Sequence, residues 1–340
     1  MIIRSKAPLR LGLAGGGSDV SPYSEIYGGA ILNATINMYA YATIQPTRDK
    51  KITLHSLDSN TKQVFDSSKT LQVDDQFMLA KGVYNRIVKD YIRRPLSFKL
   101  TTSVDAPPGS GLGTSSTLVV AILGAFSEWL KLPLGEYDLA HLAYEIERVD
   151  LMMAGGKQDQ YAATFGGVNF MEFLREDKVI VNPLRIKPVY LNELAYNLVL
   201  YNTKTSRLSS RIIETQSRNV IAQDESSIEA TTNLKEQAIR MKEAILKGNL
   251  DQIGEILDFG WQNKKRMARG ITNKLIDGIY QAAMERGASG GKISGAGGGG
   301  FMLFYCPHNT RNEVIEGLKK FGGGAQRFEF TTNGLTTWTI

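Results

Sequence analysis

Residues 105–117 read Asp105-Ala106-Pro107-Pro108-Gly109-Ser110-Gly111-Leu112-Gly113-Thr114-Ser115-Ser116-Thr117. Three glycines alternate here, and a run of hydroxyls follows. Ahead of the stretch Phe98, Leu100, Thr102 and Val104 alternate like a strand, and behind it Leu118 to Leu130 is largely apolar. Strand, glycine turn and helix start together suit a phosphate. Glycine lets the backbone come close to an anion, and the free N–H groups of the first helical turn point at it. A hydroxyl just inside the helix reaches a phosphate oxygen or a magnesium ion. This is not a Walker A loop, because no Lys follows the glycines. Taken alone, the stretch also suits an ordinary corner before a helix, with Thr114, Ser115 or Ser116 as N-cap.

The chain has 340 residues, 42% of them hydrophobic, enough for two domains with sizeable cores. No run approaches the roughly 18 apolar residues of a membrane helix, and no basic region followed by an apolar stretch opens the sequence. Cys306 is the only cysteine, so no internal disulfide forms, and the expected location is the cytoplasm. The net charge of +6 is mild and forms no basic tail. Without a basic stripe interleaved with aromatics, nucleic acid is not expected as a partner; acidic small molecules suit the excess better. The three histidines, His55, His141 and His308, are too scattered for zinc chemistry or a hydrolase triad.

Coarse patterning gives strands at 9–14, 30–45 and 52–57, a helix at 76–92, the strand, loop and helix above, and a helix at 137–153. Strands at 167–173 and 179–186 follow. Character changes near Pro188. After a strand at 198–201, residues 209–286 are mainly helical. The remainder reads as strands at 291–294 and 301–306, a helix at 312–321 and a strand at 326–331. Strands and helices without βαβ regularity predict an α+β fold, divided into domains 1–187 and 188–340.

Two further glycine-rich segments accompany the first. One is Lys6-Ala7-Pro8-Leu9-Arg10-Leu11-Gly12-Leu13-Ala14-Gly15-Gly16-Gly17-Ser18-Asp19. The other is Gly290-Gly291-Lys292-Ile293-Ser294-Gly295-Ala296-Gly297-Gly298-Gly299-Gly300. Gly295, Gly297 and Gly300 satisfy G-x-G-x-x-G, but a strand (Phe301 to Tyr305) follows where a dinucleotide site needs a helix. So many glycines ordered in one place imply that their backbone packs closely against something.

In order and spacing the three segments resemble the motifs of the GHMP kinase superfamily, from Ala7 to Phe304. The resemblance implies a ribosomal-protein-like N-terminal domain, a ferredoxin-like C-terminal domain, and a cleft between them for ATP and substrate. Ala14-Gly15-Gly16-Gly17-Ser18-Asp19, with Val20-Ser21-Pro22-Tyr23 and Gly28-Gly29-Ala30-Ile31-Leu32-Asn33, resembles the D-glycero-D-manno-heptose 7-phosphate kinases. Those enzymes phosphorylate an anomeric hydroxyl on the way to GDP-activated heptose for surface glycans. Galactokinases carry Gly-Glu-His where this chain has Gly15-Gly16-Gly17. The alternatives are another sugar 1-kinase, of L-fucose or galactose type, or a sensor of the same fold that has lost catalysis.

By that resemblance Pro108, Gly109, Ser110, Gly111, Leu112, Gly113, Thr114, Ser115 and Ser116 wrap the ATP phosphates. Ser116 and Glu147 face Mg2+, with Glu145 the competing carboxylate. Asp159 takes the acceptor proton, and Arg10 keeps that carboxylate ionised and stabilises transferring charge. Asp19, Gly16 and Gly17 meet the sugar, and Gly295 and Gly297 line phosphates or acceptor. Arg207 and Arg211, after Tyr201-Asn202-Thr203, are candidates for a substrate phosphate, a forked contact that arginine suits; a solvated helix face fits them equally. Expected partners are ATP and a sugar phosphate, with self-association left open.

Overall fold

The computed structural model describes residues 1–205 and 209–340. It is an α+β fold built on two sheets. The first begins with β1 (Ile3–Ala14) and, after a short helix α1 (Tyr23–Tyr27), β2 (Gly29–Pro46). Both strands are longer than their sequence signals. The added residues include Ser5, a buried polar residue whose hydroxyl donates to the Ala121 carbonyl, which interrupts the apolar pattern. β3 (Lys51–Ser56) and β4 (Thr61–Asp66) form a hairpin. Only Gln63 and Phe65 of β4 are partly sheltered, so its polar sequence carries no strand signal. Helix α2 (Met78–Ile87), extended by a π-turn to Ile92, leads to β5 (Phe98–Val104), the glycine loop and α3 (Thr114–Leu130). α4 (Glu136–Glu145) runs into a second π-turn, 146–150, and a loop leads to α5 (Gln158–Phe165). Strands β6 (Val168–Phe173) and β7 (Val179–Pro183) complete this half.

The long β2 is the spine. Its first half pairs with β6 and its second with β5, while β1 runs antiparallel along its other edge. Helices α2, α3 and α4 cover one face, around Phe98, Phe126, Tyr84 and Val119. The other face of β1 and β2, through Leu9, Leu11, Leu32 and Ile36, belongs to a second core made with the rest of the chain.

That rest comprises α6 (Pro188–Asn197), β8 (Leu198–Asn202), α7 (Ser209–Ile221), α8 (Glu225–Lys247), α9 (Ile253–Met267), α10 (Lys274–Glu285), β9 (Gly290–Ile293), β10 (Phe301–Tyr305), α11 (Arg311–Leu318), β11 (Gly324–Gln326) and β12 (Thr336–Thr339). The second sheet is antiparallel, in the order β11-β8-β10-β9. Strand alternation splits it between two cores. Leu198, Leu200, Phe301 and Leu303 face the core shared with β1 and β2, whereas Val199, Tyr201, Met302 and Phe304 face Trp261, Ile276 and Val314.

The chain end departs from expectation. In place of a strand over 326–331 there is β11, one isolated bridge between Phe330 and Ile36, and then β12, which pairs with β1. The tail thus leaves the second sheet and returns to the first. Among the described residues no helix is long and apolar enough to cross a membrane.

Candidate active site

Three backbone segments converge where β1 ends, α3 begins and β9 turns towards β10. Gly109, Gly111 and Gly113 all have positive φ, between +74° and +80°. A Cβ on Gly111 would lie 2.4 Å from the Ser294 carbonyl oxygen, and one on Gly295 would lie 2.7 Å from Gly111 Cα. The first and third glycine segments therefore interlock backbone to backbone, the close packing expected of so many ordered glycines. Ser294 Oγ donates to Gly111 O at 2.7 Å, and Phe301 N donates to Ser110 O at 2.9 Å.

Not every residue of the loop faces the cavity. Gly109, Gly111, Gly113, Thr114, Ser115 and Ser116 line it. Pro108 is exposed, Ser110 and Leu112 are buried, and none of these three lines the cavity. Ser110 Oγ instead accepts from Leu112 N within the loop, and Leu112 O accepts from Arg10 N, which ties the loop to β1. Gly297 likewise packs on Ile271 outside the cavity, while Gly295 lines it. The helix start is Gly113, with no side-chain cap, so the hydroxyls of 114–116 are not spent on capping.

Asp159 lies in the first turn of α5, not in a bare turn after a single long helix. The Gly155-Gly156 pair belongs to the loop between the π-turn and α5. Arg148 holds that loop by donating to the Gly156 carbonyl. Arg10 Nε donates to Asp159 Oδ1 at 2.6 Å, and Arg10 Nη1 donates to Gly111 O at 2.6 Å. One guanidinium thereby joins the acid to the glycine loop. A Cβ at position 113 would sit 3.2 Å from Asp159 Cγ, so glycine there lets the acid stand beside the start of α3.

Asp19 lines the cavity but is already engaged. Its Oδ2 accepts from Lys157 N at 3.0 Å and Gln158 N at 3.1 Å, and its Oδ1 accepts from Gly17 N at 3.2 Å. It anchors the start of the helix that carries Asp159, which a reading of Asp19 as a free sugar ligand did not anticipate. Gly16 and Gly17 form the wall beside it.

Ser116 and Glu147 meet as expected, through a residue the sequence did not single out. Gln160 Nε2 donates to Ser116 Oγ at 3.2 Å and to Glu147 Oε2. Burial pushes the Glu147 carboxyl above its ordinary value, against the pull of nearby Arg148. Glu145 points elsewhere, paired with Arg86 at 3.3 Å. Magnesium takes oxygen ligands, often one or two carboxylates beside substrate phosphates. A buried carboxylate next to a hydroxyl on the phosphate-facing turn fits such an ion.

Two buried lysines that line the cavity were missed. Lys264 Nζ donates to Gly16 O at 3.0 Å, and Lys292 Nζ donates to Gly12 O at 2.8 Å. Burial lowers their pKa to about 8 and about 7 respectively; Asp19 partly offsets this for Lys264, while neighbouring cations add to it for Lys292. Lys292 stood inside a quoted motif. Lys264 sits in Asn263-Lys264-Lys265-Arg266, which reads as a solvated helix end. Of the two arginines proposed for a substrate phosphate, Arg211 is exposed and does not line the cavity. Arg207 lies outside the described residues.

The cavity encloses about 460 Å³. A glycine cradle at an uncapped helix start, an acid paired with arginine, and a buried carboxylate beside a hydroxyl together make a phosphotransferase site with room for an alcohol acceptor. The chain belongs to the GHMP kinase family: residues 78–167 match the GHMP kinases N terminal domain, and residues 241–324 match the GHMP kinases C terminal model. It is 47% identical to a D-glycero-alpha-D-manno-heptose 7-phosphate kinase of Campylobacter jejuni, over 99% of each chain. Among solved structures, a D-glycero-D-manno-heptose 1-phosphate kinase from Bacteroides thetaiotaomicron is 48% identical, covers 99% of both chains and superposes with a TM-score of 0.86. The galactose complex of Lactococcus lactis galactokinase shares the fold, with a TM-score of 0.77 at 19% identity over 98% of this chain and 95% of that one.

Proposed function

We propose that this enzyme transfers the γ-phosphoryl group of ATP to the anomeric hydroxyl of D-glycero-D-manno-heptose 7-phosphate. The product is the 1,7-bisphosphate, a precursor for GDP-heptose and surface glycans. The observation that carries the reading is the Arg10–Asp159 pair, 2.6 Å apart, set against the glycine loop. The 47% identity to a heptose 7-phosphate kinase supports the sugar. The two heptose relatives carry names that differ in phosphate position, and Gly16 and Gly17, lacking side chains, favour a long phosphorylated acceptor over a plain hexose.

In this mechanism the lobe 1–187 supplies the phosphate cradle and the lobe 188–340 closes the cavity through β9 and α9, with its tail stitched back to β1. Main-chain N–H groups at the start of α3 and the hydroxyls of Thr114 and Ser115 hold phosphate oxygens. Ser116 and Glu147, oriented by Gln160, would hold Mg2+, which would neutralise phosphate charge when bound. Asp159 accepts the acceptor proton as the new O–P bond forms and the bond to ADP breaks. Arg10 orients that carboxylate and offsets charge on the moving phosphoryl group.

ADP release measured across heptose 7-phosphate, heptose, galactose and L-fucose tests the proposal, with 31P NMR of the product locating the new phosphate. The expected outcome is highest kcat/KM for heptose 7-phosphate and a new glycosyl phosphate signal. Asp159→Asn should lower kcat about 10²–10⁴-fold while ATP binding holds. Turnover of an unphosphorylated hexose alone discards the heptose reading. Nucleotide binding with no turnover of any acceptor makes the protein a sensor.

A further inference from the structure

We infer that Lys264 and Gln216 form the subsite for the acceptor's own phosphate, at the end of the cavity walled by Gly16 and Gly17. This inference rests on the proposed phosphorylated acceptor and adds where that phosphate goes.

Both groups are built for a ligand. Lys264 is 3% exposed and Gln216 is 5% exposed, yet both line the cavity. Among the described residues the Nε2 amide of Gln216 has no hydrogen-bond partner, although it is buried. An unpaired buried donor costs about 1–3 kcal/mol, so a partner from outside the chain is the economical account of it. Lys264 Nζ spends one of its three donors on the Gly16 carbonyl. Among the described residues no carboxylate forms an ion pair with it. The neighbouring acid, Asp19, already accepts from three backbone N–H groups.

The two groups face the same wall. A Cβ on Gly16 would lie 4.0 Å from Lys264 Nζ, and one on Gly17 would lie 3.8 Å from Gln216 Oε1. A side chain at Gly16 would take the space in front of Lys264, and one at Gly17 would first strike Met267 Cε, 2.6 Å away, on the way to Gln216. Helix α7 is fixed where Gln216 must stand: Ser217 Oγ donates to Ser21 O at 2.7 Å, and Asn219 Nδ2 donates to Met267 O at 2.9 Å.

Charge selects the ligand. A sugar hydroxyl satisfies the amide but leaves the buried ammonium with only the partial offset of Asp19; a phosphate monoester satisfies both. The other lysine lining the cavity, Lys292, is tied to Gly12 on the strand of Arg10, so it belongs with the transferring phosphoryl group. Arg10 is paired with Asp159, and Arg148 is spent on the Gly156 and Met153 carbonyls beside Glu147, so among the described residues Lys264 is the lining cation with donors free for the far end of the acceptor. Its lowered pKa accords with a charge awaiting an anion. Glu214 also lines the cavity and carries a like charge to the ligand, and it lies on the more exposed part of α7.

The test compares heptose 7-phosphate with unphosphorylated heptose in the intact wild-type enzyme and in Lys264→Met, Lys264→Arg and Gln216→Leu. In Lys264→Met, kcat/KM for the phosphorylated sugar should fall roughly 10–100-fold, the loss of one charge-assisted contact. The value for heptose should stay within about threefold, and KM for ATP should not move. Lys264→Arg should restore part of the preference, and Gln216→Leu should lose a smaller share of it. Three results overturn the inference. If wild type prefers heptose 7-phosphate and every folded variant keeps that preference, the subsite lies elsewhere and the proposed function stands. If the variants raise only KM for ATP, these groups serve the nucleotide. If wild type shows no preference for the phosphorylated sugar, the inference fails together with the reading it rests on. Far-ultraviolet circular dichroism identifies any variant that does not fold, and Gln216→Leu decides the matter if Lys264→Met is lost.

Discussion

Lys292 shows how one side chain can bear on both stability and catalysis. Its ammonium is buried at the centre of the site, tied to the Gly12 carbonyl and close to Lys264 and Arg10. Burial lowers its pKa to about 7, whereas in the unfolded chain it returns to the ordinary lysine value of 10.5. Between those values the unfolded state binds more protons than the folded one, so this residue makes stability rise with pH across that window. Below about pH 7 its charge is carried in the fold at full cost. Lys292→Met should therefore melt higher than wild type at pH 6 in phosphate-free buffer, and the gain should shrink or reverse by pH 10. A melting difference that does not vary with pH would show that the ammonium is solvated in the folded enzyme. Neither buried lysine was recognised from sequence. Arg10 and Ser116 stand in glycine motifs, Glu147 and Asp159 were expected from a family resemblance in their twelve-residue spacing, and the structure brings all four to one cavity. Lys264 follows Asn263 and precedes Lys265 and Arg266, a pattern that helix ends facing water also show; only the packing of α9 against the loop at Gly16 buries it.

At the scale of elements, the fold depends on glycine backbones that touch. The loop before α3 and the turn after β9 pass so closely that Gly111 and Ser294 leave no room for a methyl group. Gly111 also has φ +80°, so an alanine there meets two penalties, the left-handed backbone and the neighbouring carbonyl. Gly322, with φ +73° and nothing within 4 Å, meets only the first. Gly322→Ala should cost about 1–2 kcal/mol, the left-handed penalty alone. Gly111→Ala should cost clearly more and should raise KM for ATP, because moving the loop moves the phosphate cradle. Equal losses in urea melts of the two variants would mean that the loops separate freely. Sequence reading found these glycines and inferred that they pack tightly, but the partner of each was invisible, being nearly two hundred residues away. It also missed α5, a helix of eight residues whose Gln-Asp-Gln start resembles a polar turn. That helix forms because Asp19 accepts from the N–H groups at its start, a long-range cap that local pattern does not encode.

Across the whole molecule, the last residues join the second sheet's lobe to the first. After β11 the chain runs back along β2: Glu329 and Asn37 exchange hydrogen bonds, and Thr331 N donates to Thr35 O at 3.0 Å. Leu335 then packs over Gly124 of α3, and β12 pairs with β1 from Ile3 to Lys6. No local pattern pointed this segment there, since Phe328 and Phe330 alternate as in a strand of the nearer sheet, while Phe330 bridges to Ile36 of the farther one. The tail holds the middle of α3, the N-terminal end of β1 and the C-terminal end of α5, whereas the site uses the start of α3, the later part of β1 and the first turn of α5. Stability and catalysis should therefore separate. Leu335→Ala removes a large apolar side chain from a partly buried seat and should cost at most about 2–5 kcal/mol, with a lower melting temperature. Deleting residues 327–340 should cost more, because it also bares the edge of β1. In both variants kcat and KM of the folded enzyme should stay near wild type at low temperature, since no tail residue lines the cavity. Thermal melts paired with steady-state kinetics decide it. A tail variant that melts like wild type denies the segment any structural part. A loss of kcat at temperatures where the variant is folded implies that strain at the far end of α3 reaches Ser116 and Asp159.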